Sequence, residues 1–467
     1  MTKKGSSPVL EDGTVYSKRK DFCPFSTPPL EDYIPVLGKE RIERLQRIAQ
    51  RVKGLKMLTL NATAQGGGVA EMLYSAIPFL NTLGMESEWK VMCGESDYFE
   101  ATKELHNLLQ GKEGYFGSER LKIYTRTIEE CVRRNFIDYE PDVIDVHDPQ
   151  PLALGHYISK PDPTWLWRCH IDIDKESIES NPRLWDFLTD WVEHYDAVIF
   201  SAAQYILPWW QLPKFIIPPF IDPLSEKNRE LSQEEIDKVL AKYHIDPKVP
   251  IIAQISRFDP WKGMDRTIAA FRRVRKERKC QLVLAGGQAT DDPEGERILA
   301  RVYEDTKEDE DIHVLNLSLD DRLENHREVN ALQRAARVIM QPSTREGFGL
   351  VITEALWKGK PVIGANVGAI PMQIRDGDTG YFYHTSRQTA KKLIYLLEKP
   401  KAAEAMGKRG RAYVEQRFLL PDRIADYLMA VDMIVNGAVN KEANADIIIS
   451  FSPWFNLSKR KRVRFSY

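Results

Sequence analysis

The sequence predicts an α/β protein built from two parallel-sheet halves. Short apolar runs alternate with longer helical or polar stretches, the pattern that βαβ units produce. The alternation breaks around Pro218–Pro223 and restarts near Pro250, and 467 residues suit two large domains or about three ordinary ones.

The elements follow in order. Residues 1–30 are polar without a period and read as a loose N-terminal arm. Leu37, Ile42, Leu45, Ile48, Ala49 and Val52 recur at helical spacing, and Leu55–Asn61 reads as the first strand. A glycine-rich turn leads to a second helical pattern, Val69–Leu83, closed by Gly84. Trp89–Cys93, Asp142–Val146, Trp165–Ile171, Ala197–Ser201 and Phe215–Ile217 are further strand candidates. A charged helical stretch, Glu226–Tyr243, precedes a second series of strands at Pro250–Ser256, Gln281–Gly286, Ile312–Leu317, Val338–Gln341 and Pro361–Gly364. This divides the chain into an arm (1–30), a first half (31–222), a linker (223–248), a second half (249–410), C-terminal helices (411–440) and a tail (441–467).

Composition narrows the class. Sixty-six Lys and Arg against 68 Asp and Glu leave a net charge of −2, unlike a polyelectrolyte that coats nucleic acid. A 43% hydrophobic and 29% charged composition is that of a globular protein, not a disordered one. The N-terminus lacks an apolar signal region and no run of about 18 apolar residues occurs, so neither secretion nor a transmembrane helix is expected. The five Cys are scattered without a C-x-x-C pair, which suggests neither a disulfide framework nor a zinc site and fits a reducing cytoplasm. The tail differs: the apolar Ile447–Phe455 is followed by Lys459, Arg460, Lys461, Arg462 and Arg464, with no acidic residue after Asp446. Such a cluster suits anionic lipid, nucleic acid or an acidic partner, or is a solvated extension.

Three loops could carry chemistry. Gln65-Gly66-Gly67-Gly68-Val69 lies between the first strand and a helix, where glycines let backbone amides approach an anion beside a favourable helix dipole. It is neither G-x-G-x-x-G nor a P-loop. Ser256-Arg257-Phe258-Asp259-Pro260-Trp261-Lys262-Gly263 follows the first strand of the second half, at the strand end where open α/β sheets bind ligands. Arg257 offers a planar fork and Lys262 a point charge for a diphosphate. Arg345-Glu346-Gly347-Phe348-Gly349-Leu350 runs from strand to helix, with Glu354 one turn further on. Its amides and two carboxylates suit a hydroxyl-rich, anionic ligand.

Arg257 with Lys262-Gly263, and Glu346 with Glu354 in an E-x7-E frame, resemble the nucleotide-sugar site of the retaining glycosyltransferases of family 4. The likeness spans nearly all of residues 30–435. It implies the GT-B fold, two Rossmann-like domains whose parallel sheets face across a deep cleft, with the C-terminal helices packing back on the first domain. The strings NATAQGGGVAE (61–71), HDPQP (147–151), WRCHID (167–172) and SRFDPWKG (256–263) are similar to the trehalose-forming glycosyltransferring synthases within that family. The related retaining trehalose phosphorylases share them, but the compact spacing and WRCHID favour the synthases. Ser256 departs from the glycine many members carry before the arginine, and residues 447–467 lie outside the likeness.

The resemblance implies reversible transfer of glucose from UDP- or ADP-glucose to glucose with an α,α-1,1 linkage. Arg257 and Lys262 would clamp the diphosphate, helped by the amides of Gly66, Gly67 and Gly68. Glu346 with Gly347, Phe348, Gly349 and Leu350 would hold the donor sugar, and Glu354 the ribose. His170 would meet the donor sugar or the acceptor, and Gln65, Val69, His147 and Asp148 would bind the acceptor. No metal or cofactor beyond the donor is implied. The sequence leaves open a homodimer, the tail's partner, and a non-catalytic sugar-nucleotide sensor.

Overall fold

Each α/β series closes into its own parallel sheet. The computed structural model describes residues 27–451 except Gly66, Cys93, 135–136, 138–139, 159–162, 176–180, Pro208 and 288–293, together with Val9 and 12–17. The chain divides into two units, Met1–Pro219 with Leu420–Tyr467, and Phe220–Leu419. In the first, β1 (Thr14–Tyr16), β2 (Lys56–Asn61), β3 (Glu86–Val91), β4 (Val143–His147), β5 (Thr164–Cys169), β6 (Ala197–Phe200), β7 (Lys214–Ile216) and β14 (Ile448–Ser450) form one sheet in the order β1-β3-β2-β4-β5-β6-β7-β14. All neighbours run parallel except β1 on β3. In the second, β8 (Ile251–Ile255), β9 (Gln281–Gly286), β10 (Ile312–Asn316), β11 (Val338–Gln341), β12 (Val362–Ala365) and β13 (Gly380–Tyr383) pair parallel in the order β10-β9-β8-β11-β12-β13.

The strand sequences explain this arrangement. Ile-Ile-Ala-Gln-Ile in β8 and Ala-Val-Ile-Phe in β6 are buried along their whole length, as strands covered on both faces require. Phe258, Phe271, Leu282, Leu284, Met340 and Ile363 pack one core of the second unit. In the first unit the helix Leu420–Val435 packs on Lys39–Ala49, tied by the Arg41–Asp422 and Arg51–Asp432 ion pairs.

Several segments differ from the sequence reading, among them β13 (Gly380–Tyr383), which is not among the strands expected of the second half. Thr14–Tyr16, within the stretch read as a loose arm, is an edge strand paired antiparallel with β3; beside it the Ser17 hydroxyl donates to buried Glu88 at 2.7 Å. The alternating Glu86, Glu88 and Lys90 also hide the start of β3, read as Trp89 and observed at Glu86. The charged helix starts at Gln233, not Glu226, because Ser232 and Glu235 form a reciprocal capping box. Ile448–Ser450, read as tail, is an edge strand on β7, whereas the basic cluster 459–464 lies outside the described residues. Among the described residues no helix is long and apolar enough to cross a membrane.

Both sheets have a point where strand order reverses: between β2 and β4 in the first unit, and between β8 and β11 in the second. Ligands of open α/β sheets bind beyond the carboxyl ends of the strands at such a point. The glycine-rich turn follows β2, His147 and Asp148 end β4, Ser256–Gly263 follows β8, and Ser343–Gly349 follows β11.

Candidate active site

In the second unit, β8 passes into a tight turn in which the Asp259 carboxylate accepts from the Trp261 amide at 2.8 Å. Gly263 then starts the helix Met264–Arg275 at φ 65°, and a Cβ there would lie 2.4 Å from the Pro342 carbonyl oxygen. Only glycine suits that backbone and that approach. The turn is tied to the β11 loop: the Thr344 amide donates to the Trp261 carbonyl at 2.8 Å. Buried Gln254 holds it from below, donating to the Lys262 carbonyl at 2.8 Å.

This brings Lys262 and Glu346 together, 84 residues apart in the chain. The Lys262 ammonium lies 2.8 Å from both Glu346 carboxylate oxygens. The Ser343 hydroxyl and the Gln341 amide also donate to Glu346 Oε2, at 3.0 and 3.2 Å. The Arg257 guanidinium is half-buried, 3.5 Å from the Asp259 carboxylate. Gly349 caps the helix Leu350–Trp357 at φ 84°, and Gln373 donates to the Phe348 carbonyl, pinning the loop. Glu354, on that helix, is only 3% exposed, unlike an ordinary helical glutamate. It pairs with Lys227 at 3.2 Å and accepts from Gln333 at 3.0 Å. Burial pushes the neighbouring Lys358 amine down to about 7, against the pull of Glu354.

In the first unit, Asn61 at the end of β2 shapes the glycine turn, donating to the Thr63 carbonyl at 2.7 Å while accepting from the Trp89 indole at 2.7 Å. Gln65 and Val69 are half-buried, Gly67 caps the helix Gly68–Thr82, and Gly66 lies outside the described residues. Beyond β4 and β5 lies a polar cluster. His147, which is 2% exposed, places Nε2 3.2 Å from Asp145 and Nδ1 3.0 Å from His170 Nε2. The two rings meet edge to edge, with centroids 5.1 Å apart and planes inclined by 21°. Tyr427 donates to Asp145 at 2.8 Å, and the Arg168 guanidinium stands 5.9 Å from the Tyr427 ring. Asp148 adopts φ 65° and accepts from the His170 amide at 2.7 Å.

The electrostatics follow from burial and neighbours. Burial raises the Asp145 carboxyl, but His147, Arg168 and Tyr427 outweigh it and hold it below the usual range. Burial raises Asp148 to about 6 against the opposing pull of the His170 amide, His147 and Arg168. Burial, Arg168 and His147 together hold His170 well below the usual histidine value, so it is neutral at pH 7. His170 Nδ1 and Arg168 Nη2 are buried without a hydrogen-bond partner.

The structure thus brings Arg257, Lys262, Glu346, Glu354 and residues 347–350 together in the second unit, and His147, Asp148 and His170 in the first. Both ring nitrogens of His147, read from the sequence as an acceptor contact, face protein groups, Asp145 and His170. Sequence reasoning missed Gln341, Ser343, Lys227, Gln333, Asp145, Arg168 and Tyr427. A charged residue inside the apolar runs Val-Ile-Asp-Val-His and Trp-Leu-Trp-Arg-Cys was the available signal for two of them. Among the described residues no three His, Cys, Asp or Glu side chains are grouped to hold a metal ion.

Two parallel sheets with motif loops at both reversal points are the features of a GT-B glycosyltransferase. Residues 235–413 match the family described as "Glycosyl transferases group 1". Solved structures of that fold are similar over most of the chain. An α,α-trehalose-phosphate synthase (UDP-forming) from Burkholderia vietnamiensis has a TM-score of 0.65 at 14% identity, over 83% of this chain and 98% of that one. A sucrose-phosphate synthase from Thermosynechococcus elongatus has a TM-score of 0.62 at 17% identity, over 82% and 100%. Residues 59–207 match "Trehalose synthase, N-terminal domain". The trehalose synthase of Pyrococcus horikoshii is 43% identical over 403 residues, 85% of this chain and 95% of that protein. That of Rubrobacter xylanophilus is 38% identical over 409 residues, with the same coverage. The chain belongs to the trehalose synthase family of glycosyltransferases. A trehalose phosphorylase of Grifola frondosa is 29% identical over 397 residues, 75% of this chain and 53% of that protein.

Proposed function

We propose that the protein transfers glucose reversibly between a nucleoside diphosphate glucose, UDP- or ADP-linked, and free glucose, making or breaking α,α-trehalose with retention. The observation that carries this reading is the set Arg257, Lys262, Glu346 and Glu354 gathered at the strand-order reversal of the second sheet. Two cations there meet a leaving diphosphate, and two buried carboxylates accept hydroxyl hydrogen bonds. Glu346 and the amides of 347–350 take the donor glucose, Glu354 the ribose. The glycine turn with Gln65 and Val69, together with His170 and Asp148, takes sugar hydroxyls in the first unit. In the transfer, the anomeric carbon's bond to the diphosphate oxygen breaks and its bond to the acceptor's 1-hydroxyl oxygen forms on the same face. The acceptor proton passes to the departing diphosphate, so no protein nucleophile is needed.

The experiment is direct. Purified protein with UDP-glucose or ADP-glucose plus glucose is expected to release the nucleoside diphosphate and form trehalose. Glucose 1-phosphate from trehalose and inorganic phosphate, without any nucleotide, would instead identify a phosphorylase. Saturable binding of UDP-glucose with no release under any condition would identify a sensor.

A further inference from the structure

We infer that Asp145 and His147 are positioning residues that act through His170, fixing its tautomer so that Nδ1 presents a lone pair to a sugar hydroxyl. This rests on the reading of His170 as a sugar contact, but the chain of hydrogen bonds stands by itself. Asp145 is ionised and can only accept, so both groups that touch its Oδ2, the Tyr427 hydroxyl and His147 Nε2, carry the hydrogens. In the arrangement we infer, each imidazole carries one hydrogen, so His147, with its hydrogen on Nε2, has its lone pair on Nδ1. One hydrogen occupies the 3.0 Å gap to His170, and it belongs to His170 Nε2. That leaves the lone pair of neutral His170 on Nδ1, the buried ring nitrogen without a protein partner.

The ring plane is set as well as the proton. The hydrogen-bonded imidazoles are inclined by only 21°, and the His170 amide is anchored on Asp148. The groups facing the pair are Asp145 on β4, Asp148 after it, Arg168 on β5 and Tyr427 on the helix Leu420–Val435. Arg168 and Asp145 counter one another; among these groups Asp145 Oδ1 and His170 Nδ1 are the acceptors left without a partner, and of the two residues His170 is the more exposed. A hydroxyl donating to that nitrogen would be oriented, with its oxygen lone pairs turned away from the ring.

The test is Asp145→Asn, nearly isosteric, read in two independent ways. The first is the 15N signature of His170 in the full-length protein, assigned by comparison with His170→Gln. Wild type is expected to show hydrogen on Nε2, and Asp145→Asn a mixture or the opposite tautomer. The second is turnover with UDP-glucose and glucose: kcat falls on the order of 10²-fold, while KM for both substrates moves less than about threefold. His147→Asn, which keeps an acceptor near the Nδ1 position, is expected to retain more activity than His147→Leu. Hydrogen on Nδ1 of His170 in wild type, or an unchanged His170 signature in Asp145→Asn, overturns the inference whatever the activity. So does equal loss in His147→Asn and His147→Leu. An enzyme inactive with every donor but with the expected tautomer would instead sink the functional reading alone.

Discussion

The two reversal points solve the same problem with different chemistry. In the second unit each carboxylate holds a cation, Glu346 with Lys262 and Glu354 with Lys227, at 2.8 and 3.2 Å. Charge is paired within the protein, and under the proposed function an entering diphosphate and sugar would exchange places with those partners. In the first unit a hydrogen-bonded row runs from Asp145 through His147 to His170, whose Nδ1 has no protein partner. On the proposed function, the difference is that between a site for a charged leaving group and one for hydroxyls, where direction of the hydrogen bond matters more than charge.

The largest expected effect breaks the charged side. Lys262→Ala removes the cation that meets both Glu346 oxygens. Transfer from UDP-glucose should fall by about 10²–10³-fold, the scale of losing one preorganised electrostatic contact to the transition state. Glu346 keeps Ser343 and Gln341 as donors, so the fold should persist, checked by circular dichroism and a melting curve. Glu346→Ala should lose a comparable factor. Turnover near wild type in both variants would refute the placement of the donor. The salt dependence of donor KM sharpens the contrast, weakening in Lys262→Ala and staying unchanged in Asp145→Asn.

A smaller effect distinguishes glycines kept for the fold from one kept for a ligand. Gly263 has φ 65° and a carbonyl oxygen where its Cβ would go, so Gly263→Ala should destabilise by more than ~1 kcal/mol in urea denaturation. Gly67 has φ −134°, and no described atom lies within 4 Å of an added Cβ. Gly67→Ala should therefore be neutral or stabilising by ~0.4–1 kcal/mol. If a sugar or phosphate approaches that backbone, its KM should nonetheless rise about tenfold, the cost of a misfitting methyl. An unchanged KM would remove the glycine turn from the site.

The same contrast explains what the sequence disclosed. The donor set lies in two contiguous strings, and its spacing, Arg257 to Lys262 and Glu346 to Glu354, is set by one turn and one helix. Local physics makes it readable. The parallel strands were likewise legible because burial on both faces makes them apolar runs, as in β8 and β11. The positioning chain was not, because Tyr427 meets Asp145 across 282 residues and only the packing of a distant helix joins them. The strand Thr14–Tyr16 escaped notice for a related reason: three residues are too few to show a period, and its partners, β3 with Glu88 and Lys90, lie about 70 residues away.

The smallest effect concerns Asp148, a buried acid of the first unit that resists ionisation. Its carboxyl is raised to about 6, mainly by burial, against about 3.9 in the unfolded chain. Between those values the folded state binds the extra proton, so this group makes stability decline as pH rises from about 4 to 6; below that window the group costs nothing. Asp148→Asn removes the charge but keeps an oxygen to accept from the His170 amide and a residue type that tolerates φ 65°. The difference in unfolding free energy between variant and wild type, from urea titrations at pH 4, 5, 6 and 7, should favour the variant increasingly up to pH 6 and then level. A difference that is flat across that range would mean Asp148 ionises in the fold as it does in water, and that the first unit's site carries a second full negative charge beside Asp145.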